Sequence, residues 1–397
     1  MVDASSSPAP WPVGSRHRVT VLDVAFGGDG VARLDGFVIF VPFVAIGEEV
    51  EVELTEVKKS YARARLIAVL RPATVRTTPA CPYFGECGGC QYQHLDYAEQ
   101  LRLKQHQITE LLQRIGGVPA EVVQPIIGCP STYGYRNRLM LRSQWNKTEQ
   151  RLRVGFLRAE SRLVVDVDDC AIAEPVLRAQ IAGVRANPPP RGGLKVVLRC
   201  LPDDWEVPRD SFFQNNYHLL PALVDCVRDR LADSGAQWLI DAYCGVGFFA
   251  IELAGCVRGF VGVECDGPAI HAARRNAERR GLTTGEFVVG QSELLLPDLL
   301  RRYPAAETAV ILDPPRVGCR PEAIAGLRAL APRQVLYVSC HPATLARDLN
   351  AFCADGVYEV VRVTPLDMFP QTQHVECVVD LRRRARPPAD NLLANPE

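Results

Sequence analysis

The sequence predicts an α/β protein in which a parallel sheet with flanking helices forms the C-terminal half, preceded by two smaller β-rich units. Three observations carry this. From about residue 209 to 381, short apolar runs alternate with helical stretches, the pattern of a parallel sheet with ligands at its strand ends. Residues 15 to about 72 hold close-set strands separated by glycine turns, the pattern of a small barrel. Between them lie a tight cysteine cluster and a strand-like, basic segment.

In the first unit the expected strands are Val19–Leu22, Val38–Val41 and Val50–Leu54, with turns at Gly27-Gly-Asp-Gly30, Asp35-Gly36 and Gly47. Lys58, Lys59, Arg63 and Arg65 flank Tyr61, and cations around an aromatic suit phosphate contact with base stacking; a barrel that merely packs on its neighbours is the plainer reading. A helix is expected from Tyr97 to Ile115, ending at Gly116-Gly117. The later strands are Trp238–Ile240, Phe260–Val263, Phe287–Val289, Ala309–Leu312, Val335–Val338 and Val375–Leu381. The expected division is a disordered tail 1–14, a barrel 15–73, a cysteine loop with a central β-rich unit 74–208, the α/β domain 209–384 and a C-terminal tail 385–397.

With 397 residues, 47% hydrophobic and 23% charged, the chain can bury two or three cores. No apolar stretch approaches the roughly 18 residues of a membrane span. The Ser/Ala/Pro-rich start has no basic region leading into an apolar one, so a cytoplasmic, membrane-free protein is expected, and a monomer. Fourteen cysteines in such a chain read as reduced thiols, some serving metal or catalysis. A formal net charge of −1 leaves any nucleic-acid partner to local patches. One such patch holds Arg136, Arg138, Arg142, Lys147, Arg151, Arg153, Arg158 and Arg162 against Glu149 and Glu160 alone. A solvated sheet face is the alternative.

The first strand of the α/β domain runs into Asp241-Ala-Tyr-Cys-Gly245-Val-Gly247-Phe-Phe-Ala250, and the next ends in Glu264. Glycines let the backbone turn tightly against a ligand, and a carboxylate after the second strand can accept from ribose hydroxyls. The loop alone also fits a nicotinamide or flavin site, or a plain strand–helix turn. Asp241, four residues before Gly245, favours S-adenosylmethionine and resembles motif I of class I methyltransferases. The fourth strand delivers Asp313-Pro-Pro-Arg316, whose prolines make a rigid rim that holds Asp313 toward the cleft unless it is only a structural turn.

The fifth strand ends in Val338-Ser-Cys340-His-Pro342-Ala-Thr344, and the last begins His374-Val-Glu376. Uracil C5 is a poor nucleophile. Thiolate addition at C6 generates an enolate with carbanion character at C5, and a base must afterwards remove the C5 proton. Cys340 and Glu376 supply such a pair, and the start of the following helix is expected to favour the thiolate. A lone cysteine is more often a small buried hydrophobe. Its neighbours change that reading: the glycine loop, Asp-Pro-Pro-Arg, Ser-Cys-His-Pro and His-x-Glu together resemble the bacterial RNA 5-methyluridine (uracil-C5) methyltransferase family.

That resemblance runs from a TRAM-like, OB-like barrel (Gly27–Arg33, Phe40-Val-Pro42, Gly47–Val52) to Leu381, with a Rossmann-like class I methyltransferase domain at the C-terminus. It implies Cys340 as nucleophile and Glu376 as base. It further implies Phe212 and Asp313 at the substrate, and Gln214, Tyr243, Gly245, Gly247, Phe248, Glu264, Gln291 and Asp313 around S-adenosylmethionine. Phe248 and Gln291 depart from the family's usual Asn and acidic residue, and His341 stands where Asn is frequent. Cys81, Cys87 and Cys90, with Cys170 as remote fourth ligand, are implied to hold a [4Fe-4S] cluster; zinc in a four-cysteine site fits the spacing as well. The barrel and cluster together point to RNA, with 23S rRNA favoured over tRNA. A non-catalytic RNA-binding iron–sulfur protein is a rival reading. A nicotinamide-dependent oxidoreductase is another, which leaves Asp-Pro-Pro-Arg and Ser-Cys-His-Pro unexplained.

Overall fold

The computed structural model describes residues 11–384; the remaining residues of the two expected tails, 1–10 and 385–397, lie outside the described residues. Strands β1 (Arg16–Val24), β2 (Asp29–Leu34), β3 (Phe37–Pro42), β4 (Glu49–Val57) and β5 (Tyr61–Arg71) close a barrel in the order β1-β2-β3-β5-β4. Alternate residues such as Val19, Val21, Ile39, Val41, Val52 and Leu54 fill its interior, because successive side chains of a strand point to opposite faces. Gly30 has no alternative at its position: a Cβ there would lie 2.2 Å from Val44 Cγ2. β2 carries few large apolar residues, and in β5 they are confined to the second half, after Ala62 and Ala64.

Two expectations change here. Trp11, placed in the tail, packs against the barrel with its ring 5.8 Å from Phe37. The cations around Tyr61 are largely neutralised within the chain: Lys58 pairs with Glu56 (2.6 Å), Arg65 with Glu53 (2.7 Å), and Arg63 with Asp29 (3.2 Å) and Glu160 (3.4 Å). Tyr61 itself stands edge-on to Phe40 at 5.7 Å.

The cysteine loop leads into α1 (Tyr97–Arg114), capped by Asp96, whose carboxylate accepts from Glu99 N at 2.8 Å. The central unit is an antiparallel sheet of β6 (Arg138–Asn146), β7 (Arg151–Leu157), β8 (Val164–Asp166) and β9 (Lys195–Arg199), ordered β8-β7-β6-β9. Between β8 and β9, α2 (Pro175–Ala186) covers one face through Leu177 and Ile181 against Leu139, Leu141 and Val154.

The C-terminal half contains α3 (Leu220–Ser234), β10 (Trp238–Ala242), α4 (Phe248–Glu252), β11 (Gly259–Glu264), α5 (Gly267–Arg279), β12 (Gly285–Val289), α6 (Ser292–Arg302), β13 (Thr308–Leu312), α7 (Pro321–Leu330), β14 (Gln334–Ser339), α8 (Pro342–Cys353), β15 (Tyr358–Leu366) and β16 (Glu376–Arg383). Its seven strands run in the order β12-β11-β10-β13-β14-β16-β15. The first five are parallel; β16 is antiparallel to both β14 and β15. The expected all-parallel sheet is therefore mixed, and β15 was not foreseen. Strand order reverses between β10 and β13, which opens the crevice in which such sheets bind ligands. Among the described residues no helix is long and apolar enough to cross a membrane.

Candidate active site

A cavity of about 1040 Å³ lies between the carboxyl ends of the parallel strands, the central sheet and the cysteine loop. One end is built by the turn after β10. Tyr243, Gly245 and Gly247 all have positive φ (79°, 52° and 87°), and the Tyr243 and Cys244 amides both donate to Val263 O at 2.9 Å. Glu264 accepts from Gly245 N at 3.2 Å and from the amides of Cys265 (2.7 Å) and Asp266 (3.0 Å), so the carboxylate braces the loop it faces. Asp241 is buried beneath, accepting from Ala250 N at 2.9 Å; burial pushes its carboxyl up to about 7.

Tyr243, Gly245, Glu264, Gln291, Gln214, Phe212 and Asp313 line the cavity. Phe248 does not line it: its ring is buried against Trp205, Phe213 and Phe249, so its side chain builds the core under the loop. Gly247 also lies off the wall; a Cβ there would come 2.8 Å from Phe287 Cζ.

At the opposite end Cys340, Glu376, Asp313, Arg316 and His374 converge. The antiparallel register pairs Ser339 with Cys377, so Cys340 and Glu376 continue the pair one step outward. Burial, reinforced by Glu376 and Asp313, pushes the Cys340 thiol up to about 12, while Arg316 pulls it back. This runs against the expectation of a thiolate stabilised by the helix start: Pro342 contributes no N–H there, and Thr344 N donates to the His341 ring at 3.3 Å. His341 thereby does the capping work for which Asn is suited.

Glu376 is also driven well above its ordinary range, first by burial and then by Asp313; burial lifts Asp313 to about 7. Gln214 Nε2 reaches Asp313 Oδ2 at 3.5 Å. Arg316 was visible in the Asp-Pro-Pro-Arg motif without a role; it is the cation beside the thiol and both acids. Its Nη2 lies 3.1 Å from His374 Nε2. Burial and Arg316 hold His374 down to about 3, so the ring is neutral and Nε2 accepts.

Cys81, Cys87, Cys90 and Cys170 also line this cavity, as free thiols. Burial raises Cys90 to about 12 and Cys170 to about 11, with smaller contributions from neighbouring cysteines. Among the described residues no three His, Cys, Asp or Glu side chains gather closely enough to hold one metal ion.

A family model described as tRNA (Uracil-5-)-methyltransferase matches residues 202–384, and a TRAM domain model matches residues 10–67. An uncharacterized RNA methyltransferase of Synechocystis sp. is 31% identical, covering 94% of this chain and 96% of its own. The chain belongs to the RNA uracil-5-methyltransferase family. A second member, an uncharacterized RNA methyltransferase of Nostoc sp., is 32% identical over 92% of this enzyme and 96% of its own length. Among solved structures, the Pyrococcus abyssi tRNA (uracil-54, C5)-methyltransferase in complex with S-adenosyl-L-homocysteine superposes with a TM-score of 0.68 at 27% identity, covering 91% of this enzyme and 99% of that chain. The methyltransferase match thus spans the glycine loop, Asp-Pro-Pro-Arg, Cys340 and Glu376.

Proposed function

We propose that this methyltransferase converts an unpaired or flipped RNA uridine to 5-methyluridine through a covalent Cys340 adduct. The carrying observation is the Cys340–Glu376 juxtaposition beside Asp313 in a cavity that also contains the glycine-loop site. S-adenosylmethionine, held by Gln214, Tyr243, Gly245, Glu264 and Gln291, supplies an electrophilic methyl group when bound. Cys340 gives its proton to water before the base closes over it, the Arg316 guanidinium beside the sulfur favours the thiolate, and Sγ adds to uracil C6. The electron pair at C5 takes the methyl group. Glu376 then accepts the C5 proton, the C5–C6 double bond reforms and the Cys340 thiolate leaves. Asp313 faces the base edge, where a carboxylate accepts from uracil N3–H, a donor that cytosine lacks.

RNA containing 5-fluorouracil tests this, because fluorine cannot leave as a proton. A denaturation-resistant adduct is expected with the wild type; an adduct that persists in Cys340→Ala overturns the assignment.

A [4Fe-4S] cluster on Cys81, Cys87, Cys90 and Cys170 is part of the same proposal. What supports a shared group is that the four thiols line one cavity and act on one another's ionisation; four cysteines suit an iron–sulfur cluster or zinc. Transfer of a methyl cation to an enolate moves no net electron, so the group's part is to hold the loop. Iron content and visible absorption of anaerobically purified protein test it; a colourless, zinc-containing sample removes the iron.

For the RNA, the barrel and cysteine loop motivate 23S rRNA as substrate. The Pyrococcus abyssi tRNA enzyme motivates tRNA, since its likeness extends over 91% of this chain. Mapping 5-methyluridine in both RNAs from a deletion strain separates the two.

A further inference from the structure

The basic segment of the central unit divides into two populations. Toward its outer edge, along β7 and β8, four arginines are neutralised: Arg151 pairs with Glu149 (2.9 Å) and Asp166, Arg153 with Glu149, Arg158 with Glu86 (3.5 Å) and Arg185, from α2, with Asp166 (2.6 Å). The β6 side is different. Arg138, Met140 and Arg142 alternate with Leu139 and Leu141, which pack toward α2, and so occupy the opposite face of the sheet.

Across the strand pair, Arg138 lies opposite Arg199 and Arg142 opposite Lys195, with Met140 opposite Val197 between them. Among the described residues neither Arg138, Arg142 nor Lys195 has a carboxylate partner, and the half-buried Arg138 has a buried Nε with no hydrogen-bond partner. Arg199 is spent on the chain itself, donating to Pro208 O (3.2 Å) and Ser211 O (2.7 Å) just ahead of Phe212.

Like charges directly opposite on a sheet repel, and a cation removed from water without a partner is costly. An anion from outside the chain resolves both. Arg142 and Met140 line the catalytic cavity, as does Phe212, and Phe212 is 54% exposed despite its size. Arg138 and Arg142 stand about 14 Å apart along an extended strand, which separates them enough to meet different phosphates.

We propose that β6 and β9 form a track for the single-stranded RNA backbone next to the target uridine, with phosphates held by Arg138, Arg142 and Lys195 and neighbouring bases resting on Met140 and Phe212. Guanidinium groups suit phosphate oxygens, and exposed apolar or aromatic side chains accept base faces without sequence preference. The choice of RNA as the anion rests on the uridine-methylating reading above.

The test is the salt dependence of RNA binding, followed by fluorescence anisotropy with labelled single-stranded fragments of ribosomal and transfer RNA. Three lost single-strand phosphate contacts reduce the slope of log Kobs against log salt by about 2. The variant Arg138→Gln/Arg142→Gln/Lys195→Gln is expected to show that drop while its affinity for S-adenosylmethionine stays at the wild-type value. The outer variant Arg151→Gln/Arg153→Gln/Arg158→Gln is expected to keep the wild-type slope. If the inner triple variant does not fold, Arg142→Gln alone is expected to lower the slope by about 0.7. A wild-type slope in the inner variants, or an equal drop in the outer one, overturns the track. If the wild type binds RNA but methylates none, the functional reading fails instead, and the slopes still decide whether the track exists.

Discussion

Cys340 and Glu376 stand opposite one another where β14 and β16 reach the cavity, one step beyond the Ser339–Cys377 pair. Glu376 is fully enclosed, and its ionisation is opposed by burial and by Asp313. A carboxylate in that setting is a strong proton acceptor once the adduct forms. Glu376→Gln is expected to lower turnover by about 10²–10⁴-fold and to leave methylated RNA attached to Cys340. Mass spectrometry of the trapped complex checks this; free 5-methyluridine released at the wild-type rate would exclude Glu376 as the base.

The state of the thiol is open to direct measurement. Because burial and two acids raise Cys340 to about 12, alkylation of this residue by iodoacetamide in the free enzyme is expected to climb about tenfold per pH unit through the neutral range, without a plateau below pH ~9. Glu376→Gln removes one opposing charge and should speed alkylation at fixed pH. Peptide-resolved labelling distinguishes Cys340 from the other thiols, and a plateau near neutral pH would contradict the high value.

The two loop glycines differ in what a side chain would meet. At Gly247, φ is 87° and a Cβ would press on Phe287 and Ile251 at 2.8–3.0 Å; at Gly245, φ is 52° and the space is open. Gly247→Ala is expected to destabilise by about 2–4 kcal/mol, combining left-handed strain with overpacking. Gly245→Ala incurs only the strain, about 1–2 kcal/mol. Urea denaturation gives both values, and equal losses would show that the Phe287 contact yields freely.

Asp241 offers a pH test of stability. Its folded carboxyl is raised to about 7 by burial, above the ordinary carboxylate value, so its contribution is fully present at low pH and is lost as pH rises toward and through 7. Asp241→Asn keeps an acceptor for Ala250 N and cannot ionise. Relative to wild type, its melting temperature is expected to improve from pH 5 to pH 8; an unchanged difference across that window would place the folded pKa near its ordinary value.

Lys104 on α1 is wholly enclosed, donating to Asp367 Oδ1 at 2.7 Å and to Phe369 O at 3.1 Å in the segment that leads to Glu376. Lys104→Met strands a buried carboxylate and is expected to cost about 3–5 kcal/mol, much of which Lys104→Met/Asp367→Leu should recover. Denaturant midpoints of the three proteins check this, and a double variant no more stable than the single one would mean that the pair carries more than its charges.

Local pattern accounts for what was legible beforehand. Apolar runs of strand length gave away β10, β11, β12, β13 and β14, and the helix expected from Tyr97 to Ile115 matches α1 to within a residue. β2 escaped because its inward positions, Gly30 and Ala32, are small, and β5 because Ala62 and Ala64 weaken the apolar pattern of its first half. Cys340, Asp313 and Glu264, at or just beyond strand ends, line one cavity, since parallel strands in a right-handed α/β sheet place their carboxyl ends on one edge; Gln214 joins them from the segment ahead of α3.

By itself, then, the sequence determined the α/β class and the barrel ahead of it, which are written in short-range periodicity, and its motifs singled out Cys340, Glu376 and Asp313 as candidates. Tertiary structure alone decided that β16 runs antiparallel between β14 and β15, which turns Glu376 toward Cys340; that Phe248 belongs to the core; that burial and two acids surround Cys340 and oppose its ionisation; and which arginines of the basic segment remain without carboxylates. Each of these depends on neighbours far away in the chain, because burial and electrostatic pairing sum over everything that surrounds a side chain, and only strand order brings those surroundings together.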